Sequence, residues 1–185
     1  MSSLVMVLRA LSLLAFAAPM LLAGRRHHAG RRNGERAPVV ANLTAFGLFF
    51  TSLFTFAGSG ESPAALPLAS AGCILAVAGA AVVLRSRAEL GPAWSFLPRA
   101  DEATGFVTTG PHRLVRHPIY LGLSMLAAGE ALAFASWPAF LVLLAGIIPS
   151  LVWRAAAEER LLTATFGARY TRYRKQTWMI IPYLL

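Results

Sequence analysis

The stretch Gly110-Pro111-His112-Arg113-Leu114-Val115-Arg116-His117-Pro118-Ile119-Tyr120 leads into a long apolar run, and Arg154-Ala155-Ala156-Ala157-Glu158-Glu159 closes the next one. Polar chemistry therefore stands at the ends of two apolar segments. Histidine, arginine and glutamate cost free energy near hydrocarbon, so at a membrane boundary they point to function. Arg154 and Glu158 are four apart and share one face of a helix. His117-Pro118 opens a helix whose first turn offers unpaired backbone N–H groups to a polar ligand. The pattern outlines a ligand pocket on a helical membrane frame.

The rest of the chain supplies that frame. Of its 185 residues 57% are hydrophobic and only 14% charged, a balance outside that of soluble domains. Five runs are long enough to cross a hydrocarbon core of about 30 Å: residues 4–23, 39–57, 66–84, 118–135 and 138–153. The expected fold is an all-α integral membrane bundle of about five transmembrane helices with a cytoplasmic cofactor-binding cap. Ser136-Trp137-Pro138 joins the last two spans, which predicts a tight helical hairpin.

Basic residues set the expected orientation. Five lie in 25–36, five in 85–116 and six in 154–175, while Arg9 alone falls inside a span. The opposite-side connections hold only Glu61. By the positive-inside rule the N-terminus is outside and the C-terminus cytoplasmic, and the net charge of +9 reads as topology and contact with anionic headgroups. Nucleic acid is not the expected partner, because no soluble basic fold remains to bind it. Arg25-Arg26 follow the first apolar run rather than precede it, so this run is expected to be a permanent helix despite the small residues Ala15-Phe16-Ala17-Ala18. Cys73, the only cysteine, permits no intramolecular disulfide and reads as a packed apolar residue.

Residues 1–185 read as one domain, with 1–84 as helical scaffold and 85–185 as the catalytic portion. Gly72, Ala76, Gly79 and Ala80 allow close helix approach in the scaffold. His27 and His28, among arginines, suit a solvated or headgroup-facing loop. From Arg85 to Arg116 the chain is broken by glycine and proline yet holds Trp94, Phe96, Leu97, Phe106 and Val107, so it should fold over the mouth of the bundle. The fifth span is expected to continue into water as far as Phe166-Gly167, where glycine stops it. Tyr170 and Tyr173 mark a second short helix, and the apolar tail from Trp178 should return to the membrane surface. Glu130, about two-thirds along the fourth span, should meet Ser124, Thr44 or a cavity, or stay protonated.

The sequence has neither a glycine-rich dinucleotide loop after a strand nor a Walker-type loop, and two histidines five apart without further ligands make a poor metal site. The run from Thr109 to Gly122, Arg154, Glu158-Glu159-Arg160-Leu161-Leu162, the segment from Phe166 to Tyr173 and Pro182 instead resemble the isoprenylcysteine carboxyl methyltransferases and the related phospholipid methyltransferases. The resemblance covers roughly residues 89–183. It implies S-adenosylmethionine held without a Rossmann fold, against Thr104, Gly105, Phe106, Val107, His112, His117, Pro118, Ile119, Tyr120 and Glu158. It also implies that Arg154 meets the methyl acceptor, which makes Arg154 and Glu158 the expected catalytic pair. His112 departs from the family's frequent tyrosine, and Gln176 and Met179 from a more basic tail.

A methyl group on a sulfonium is already activated, so the protein has chiefly to align an acceptor and exclude water. A carboxylate acceptor needs no general base, and arginine favours that anion over an ammonium headgroup. The expected activity is methyl transfer to a lipophilic acceptor entering from the bilayer, most simply the carboxylate of an isoprenylcysteine-like lipid. Alternatives from other classes are an NADPH-dependent sterol or isoprenoid reductase, which shares a related Arg-His-Pro-x-Tyr stretch, and a non-catalytic lipid-binding subunit. Seventeen basic residues with Lys175 as the only lysine suggest a GC-rich bacterial genome and hence a bacterial inner membrane.

Overall fold

Each apolar run becomes a helix, and glycine follows the end of two of them, at Gly91 and Gly167. The computed structural model describes residues 2–21, 35–91, 94 and 105–184. Among them lie seven α-helices: α1 (Ser2–Leu21), α2 (Ala37–Thr55), α3 (Ala65–Leu90), α4 (Pro118–Ala133), α5 (Trp137–Val142), α6 (Ile148–Phe166) and α7 (Ala168–Arg174). The expected all-helical membrane class holds, with one difference in the spans. Among the described residues, three helices are long and apolar enough to cross a membrane: Ala37–Thr55, Ala65–Leu90 and Trp137–Phe166. The apolar helices Ser3–Pro19 and Pro118–Ala133 are shorter. The fourth run is cut at Ala133 because the chain must reverse within three residues: Ala135 takes a left-handed φ of 49° and Ser136 caps α5 by accepting the Ala139 N–H. The expected hairpin forms there.

The second arm of that hairpin is one continuous rod from Trp137 to Phe166, with a π turn at Leu143–Ile147 between α5 and α6. Pro149 explains the turn. Proline has no N–H to donate and its ring crowds the carbonyl four residues back, so a wider turn relieves the rod without breaking it. Gly167, at φ 54°, ends α6 where glycine was expected to do so.

α3 and α4 are the most closely packed pair. A Cβ built on Gly72 would lie 2.4 Å from the Gly129 carbonyl oxygen, and one on Gly79 would lie 2.8 Å from that of Gly122. Two glycines seven apart on each antiparallel helix thus bring the backbones together, and only glycine fits. α2 packs on the other hairpin arm, with Phe49 and Leu53 meeting Leu126, Ile147 and Leu151 in the core.

Glu130 is fully buried, and its partner is neither Ser124 nor Thr44. Ser12 of α1 donates to Glu130 Oε2 at 3.0 Å, while Ser124 donates instead to the Tyr120 carbonyl. α1 lies against α4, which a chain separation of 118 residues concealed. Arg9, one turn before Ser12, donates from Nε to the Ala133 carbonyl at 2.9 Å and from an Nη to the Gly58 carbonyl at 3.0 Å.

Candidate functional site

Two backbone segments form the floor of the site at the other end of α4. Arg116 N–H donates to the Trp178 carbonyl, Trp178 N–H to the Leu114 carbonyl, and His117 N–H to the Met179 carbonyl, at 2.8, 3.1 and 3.0 Å. The tail therefore pairs with the segment leading into α4 and puts Ile180 in the core, rather than merely lying on the membrane surface. His117 is the residue before helix α4 and Pro118 its first residue.

On this floor His117, Tyr120, Arg154 and Glu158 converge. The His117 and Tyr120 rings stack, 5.4 Å between centroids and 6° from parallel. Tyr120 Oη donates to Glu158 Oε1, His117 Nδ1 lies 3.5 Å from Glu158 Oε2, and Arg154 Nε lies 3.4 Å from Glu158 Oε1. The Arg154 guanidinium also sits 5.5 Å from the centre of the Tyr120 ring, within cation–π range. Arg154 and Glu158 share a helix face as their spacing predicts, and both turn toward α4.

The adjacent glutamate faces another way. Glu159 Oε1 accepts from Arg116 Nε at 2.5 Å, Oε2 pairs with Arg174 Nε at 3.0 Å, and His117 Nε2 stands 3.5 Å from Oε1. The Glu159 side chain is 5% exposed against 21% for Glu158. Burial disfavours charge on His117, but its contacts with Glu158 and then Glu159 outweigh burial and raise its pKa above the usual histidine value. Arg116 and Arg174 are not singled out by sequence spacing. Arg116 could as well have been a plain interfacial anchor like the exposed Arg113, and the only signal for Glu159 was the doubled glutamate itself.

His112 behaves in the opposite way. It sits in a 3-10 turn, Gly110–Arg113, with 5% exposure, and burial followed by the nearby His117 charge pushes its pKa down to about 4. Its Nδ1 is buried without a hydrogen-bond partner, although the Tyr173 hydroxyl anchors its carbonyl at 2.6 Å. A neutral ring with an orphaned buried nitrogen is an opening for a polar ligand. Gly105, Phe106 and Val107 are half-buried nearby on the α6–α7 wall, where the Phe106 ring packs against Phe166, Tyr170 and Tyr173. Ile119 packs against the core, and Thr104 lies outside the described residues, as do His27 and His28.

A groove of about 440 Å³ runs between α2 and the π-turn rod, lined by Ala41, Thr44, Gly146, Pro149, Ser150 and Trp153. Asn42 donates to Ser150 Oγ beside it, one turn before Arg154. Among the described residues, no three histidine, cysteine or acidic side chains gather into a metal-binding group.

The family model described as phospholipid methyltransferase matches residues 68–169, more than half of the chain and inclusive of His112, His117, Tyr120, Arg154 and Glu158. Among solved structures, the chain is similar to the eukaryotic intramembrane Ras methyltransferase ICMT (isoprenylcysteine carboxyl methyltransferase), at 20% identity and a TM-score of 0.49. That similarity covers 97% of this chain and 64% of the other, so this chain spans less than two thirds of its relative's length. No curated protein matches it.

Proposed function

Because the chain belongs to the phospholipid methyltransferase family and is an integral-membrane methyltransferase, we propose that it moves a methyl group from S-adenosylmethionine to a lipophilic acceptor, the carboxylate of an isoprenylcysteine-like or other lipid. The convergence of His117, Tyr120, Arg154 and Glu158 on one end of the bundle carries this reading. S-adenosylmethionine would supply a methyl group already activated on a sulfonium. The residues present suit such a donor: His112 Nδ1 is a buried atom without a partner, and Glu158 is the more exposed acid of its pair. Thr104, Gly105, Phe106, Val107, His112, His117, Pro118, Ile119, Tyr120 and Glu158 would hold it.

Arg154 is assigned to the acceptor. Glu158 and the Tyr120 ring restrain the plane of its guanidinium, and a planar fork restricts the direction from which a carboxylate can sit. No proton has to be removed from such an acceptor, which suits a site where His117 and Glu158 are engaged with each other. The groove along α2 reaches to within one turn of Arg154 and suits an acceptor carrying a hydrocarbon chain. In this reading residues 1–84 are scaffold and 85–185 the catalytic portion of one domain. The histidine end faces the cytoplasm and the N-terminus lies outside, in a bacterial inner membrane.

Calorimetric titration of the detergent-solubilised full chain with S-adenosylmethionine and with NADPH tests the proposal. Binding of S-adenosylmethionine and none of NADPH is expected; binding of NADPH alone would turn the site into that of a reductase.

A further inference from the structure

The buried acid Glu159 has more cationic neighbours than any role in holding a methyl donor requires. It meets Arg116 from the segment before α4, Arg174 from α7 and His117 from the start of α4. Arg116 in turn donates to the carbonyls of Arg174 and Thr177. One carboxylate thus joins α6, α7, the tail and the opening of α4. His117 lies between two acids on successive residues of α6: Nδ1 is 3.5 Å from Glu158 and Nε2 is 3.5 Å from Glu159, an ion-pair distance at which the buried Nε2 makes no hydrogen bond.

An imidazole with a carboxylate near each nitrogen is favoured in its doubly protonated, cationic form. Such a ring cannot also serve as a base. A cation at a helix N-terminus opposes the helix dipole, so it needs these two acids. The other titratable groups acting at this point are Tyr120 on α4, stacked on the ring, His112 in the preceding turn, Tyr170 and Tyr173 on α7 near Glu159, and Arg116, Arg154 and Arg174, paired with the same glutamates.

We propose that Glu159 is a positioning residue: latched by Arg116 and Arg174, it faces His117 Nε2 as its ion-pair partner, leaves Nδ1 turned toward Glu158, and so ties the seating of the C-terminal tail to the ligand-facing carboxylate. The proposal rests on the methyl-transfer reading for its consequence in binding, although the latch itself needs no ligand.

The test uses side-chain nitrogen NMR of histidine-labelled full chain, without any ligand, beside S-adenosylmethionine titration. His117→Asn assigns the resonance. In the unaltered protein at neutral pH both His117 nitrogens should be protonated. Glu159→Gln should move them to the neutral pattern and weaken S-adenosylmethionine binding at least tenfold, with Glu159→Asp recovering part of both. Arg174→Gln alters a side chain that is 44% exposed, so it should fold even if Glu159→Gln does not. It should shift His117 in the same direction and weaken binding severalfold, and Arg174→Lys should restore most of it. His117 resonances unchanged in Arg174→Gln or in a folded Glu159→Gln would overturn the latch. Shifted resonances with affinity unchanged would overturn its coupling to Glu158. If the unaltered protein fails to bind S-adenosylmethionine at all, the methyl-transfer reading falls, while the His117 resonances still decide the latch.

Discussion

The two ends of α4 each carry a polar cluster inside an apolar bundle, and they are built differently. At one end Arg9 donates to the carbonyls of Ala133 and Gly58 and lies 5.2 Å from the Phe134 ring centre, while Ser12 donates to Glu130 Oε2 and leaves Oε1 buried without a partner. A cation there meets the last turn of α4, where the helix dipole favours it. At the other end His117, Tyr120, Arg154 and Glu158 meet one another through side chains, Glu158 stays partly exposed, and His112 keeps a buried nitrogen without a partner. Arg9 is spent on backbone carbonyls, which fastens the 56–60 connection to the end of α4. The histidine cluster is spent on groups that a ligand can engage. In the proposed reading, what the polar residues bond to separates a fastener at the Arg9 end from a site at the histidine end.

Substitution at each end tests this contrast. The largest expected effect is Arg154→Ala, which should reduce methyl transfer to a carboxylate acceptor by about 100-fold or more through loss of orientation. Its S-adenosylmethionine affinity should stay within threefold, and Arg154→Lys should recover only part of the turnover. Labelled-methyl turnover measured beside calorimetry checks both; loss of donor binding in Arg154→Ala would make Arg154 and Glu158 a single clamp. Next comes Glu158→Gln, which removes a charge-assisted acceptor worth about 1.5–3 kcal/mol, or roughly 10- to 150-fold in affinity. Titration of this variant showing unchanged affinity would remove Glu158 from the binding set.

At the opposite end, Arg9→Ala should leave donor affinity unchanged and cost about 1–3 kcal/mol of stability, since two carbonyls lose their donor. Thermal unfolding in detergent would show the loss, and a change in affinity would erase the distinction between the two ends. The smallest effect concerns acid. His112 titrates near 4 when folded and near 6.5 when unfolded, so the unfolded chain takes up the proton first and stability falls as pH drops from 6.5 toward 4. His117 has the opposite sign: its contribution is present below its unfolded value and is lost as pH rises through its raised one. Between pH 6.5 and 5 the His112 contribution should be about 1 kcal/mol after screening, roughly 2–4 °C in melting temperature. His112→Asn should abolish that part of the acid sensitivity.

Local patterns announced much of this molecule. Apolar run length foretold helices, His117-Pro118 the start of α4, Gly167 the end of α6, and the interval of four the shared face of Arg154 and Glu158. The same rule of periodicity concealed Glu159, because neighbouring residues on a helix point about 100° apart and its partners come from other elements. Arg116 shows the limit plainly. Basic residues at a membrane boundary look alike in sequence, yet Arg113 is exposed while Arg116 is locked to Glu159, 43 residues away.

Hydrophobicity, helix period and backbone chemistry act within a few residues, so the sequence by itself determined the helical membrane class, the helix stop at Gly167 and the face that Arg154 shares with Glu158. Tertiary structure alone decided that Ser12 donates to Glu130, that the tail pairs with residues 114–117, and that two adjacent glutamates divide into one meeting Tyr120 and Arg154 and one buried against Arg116 and Arg174. Those outcomes depend on which distant segments pack together, here through glycines that bring α3 and α4 into backbone contact, and a buried charge takes whatever partner that packing delivers.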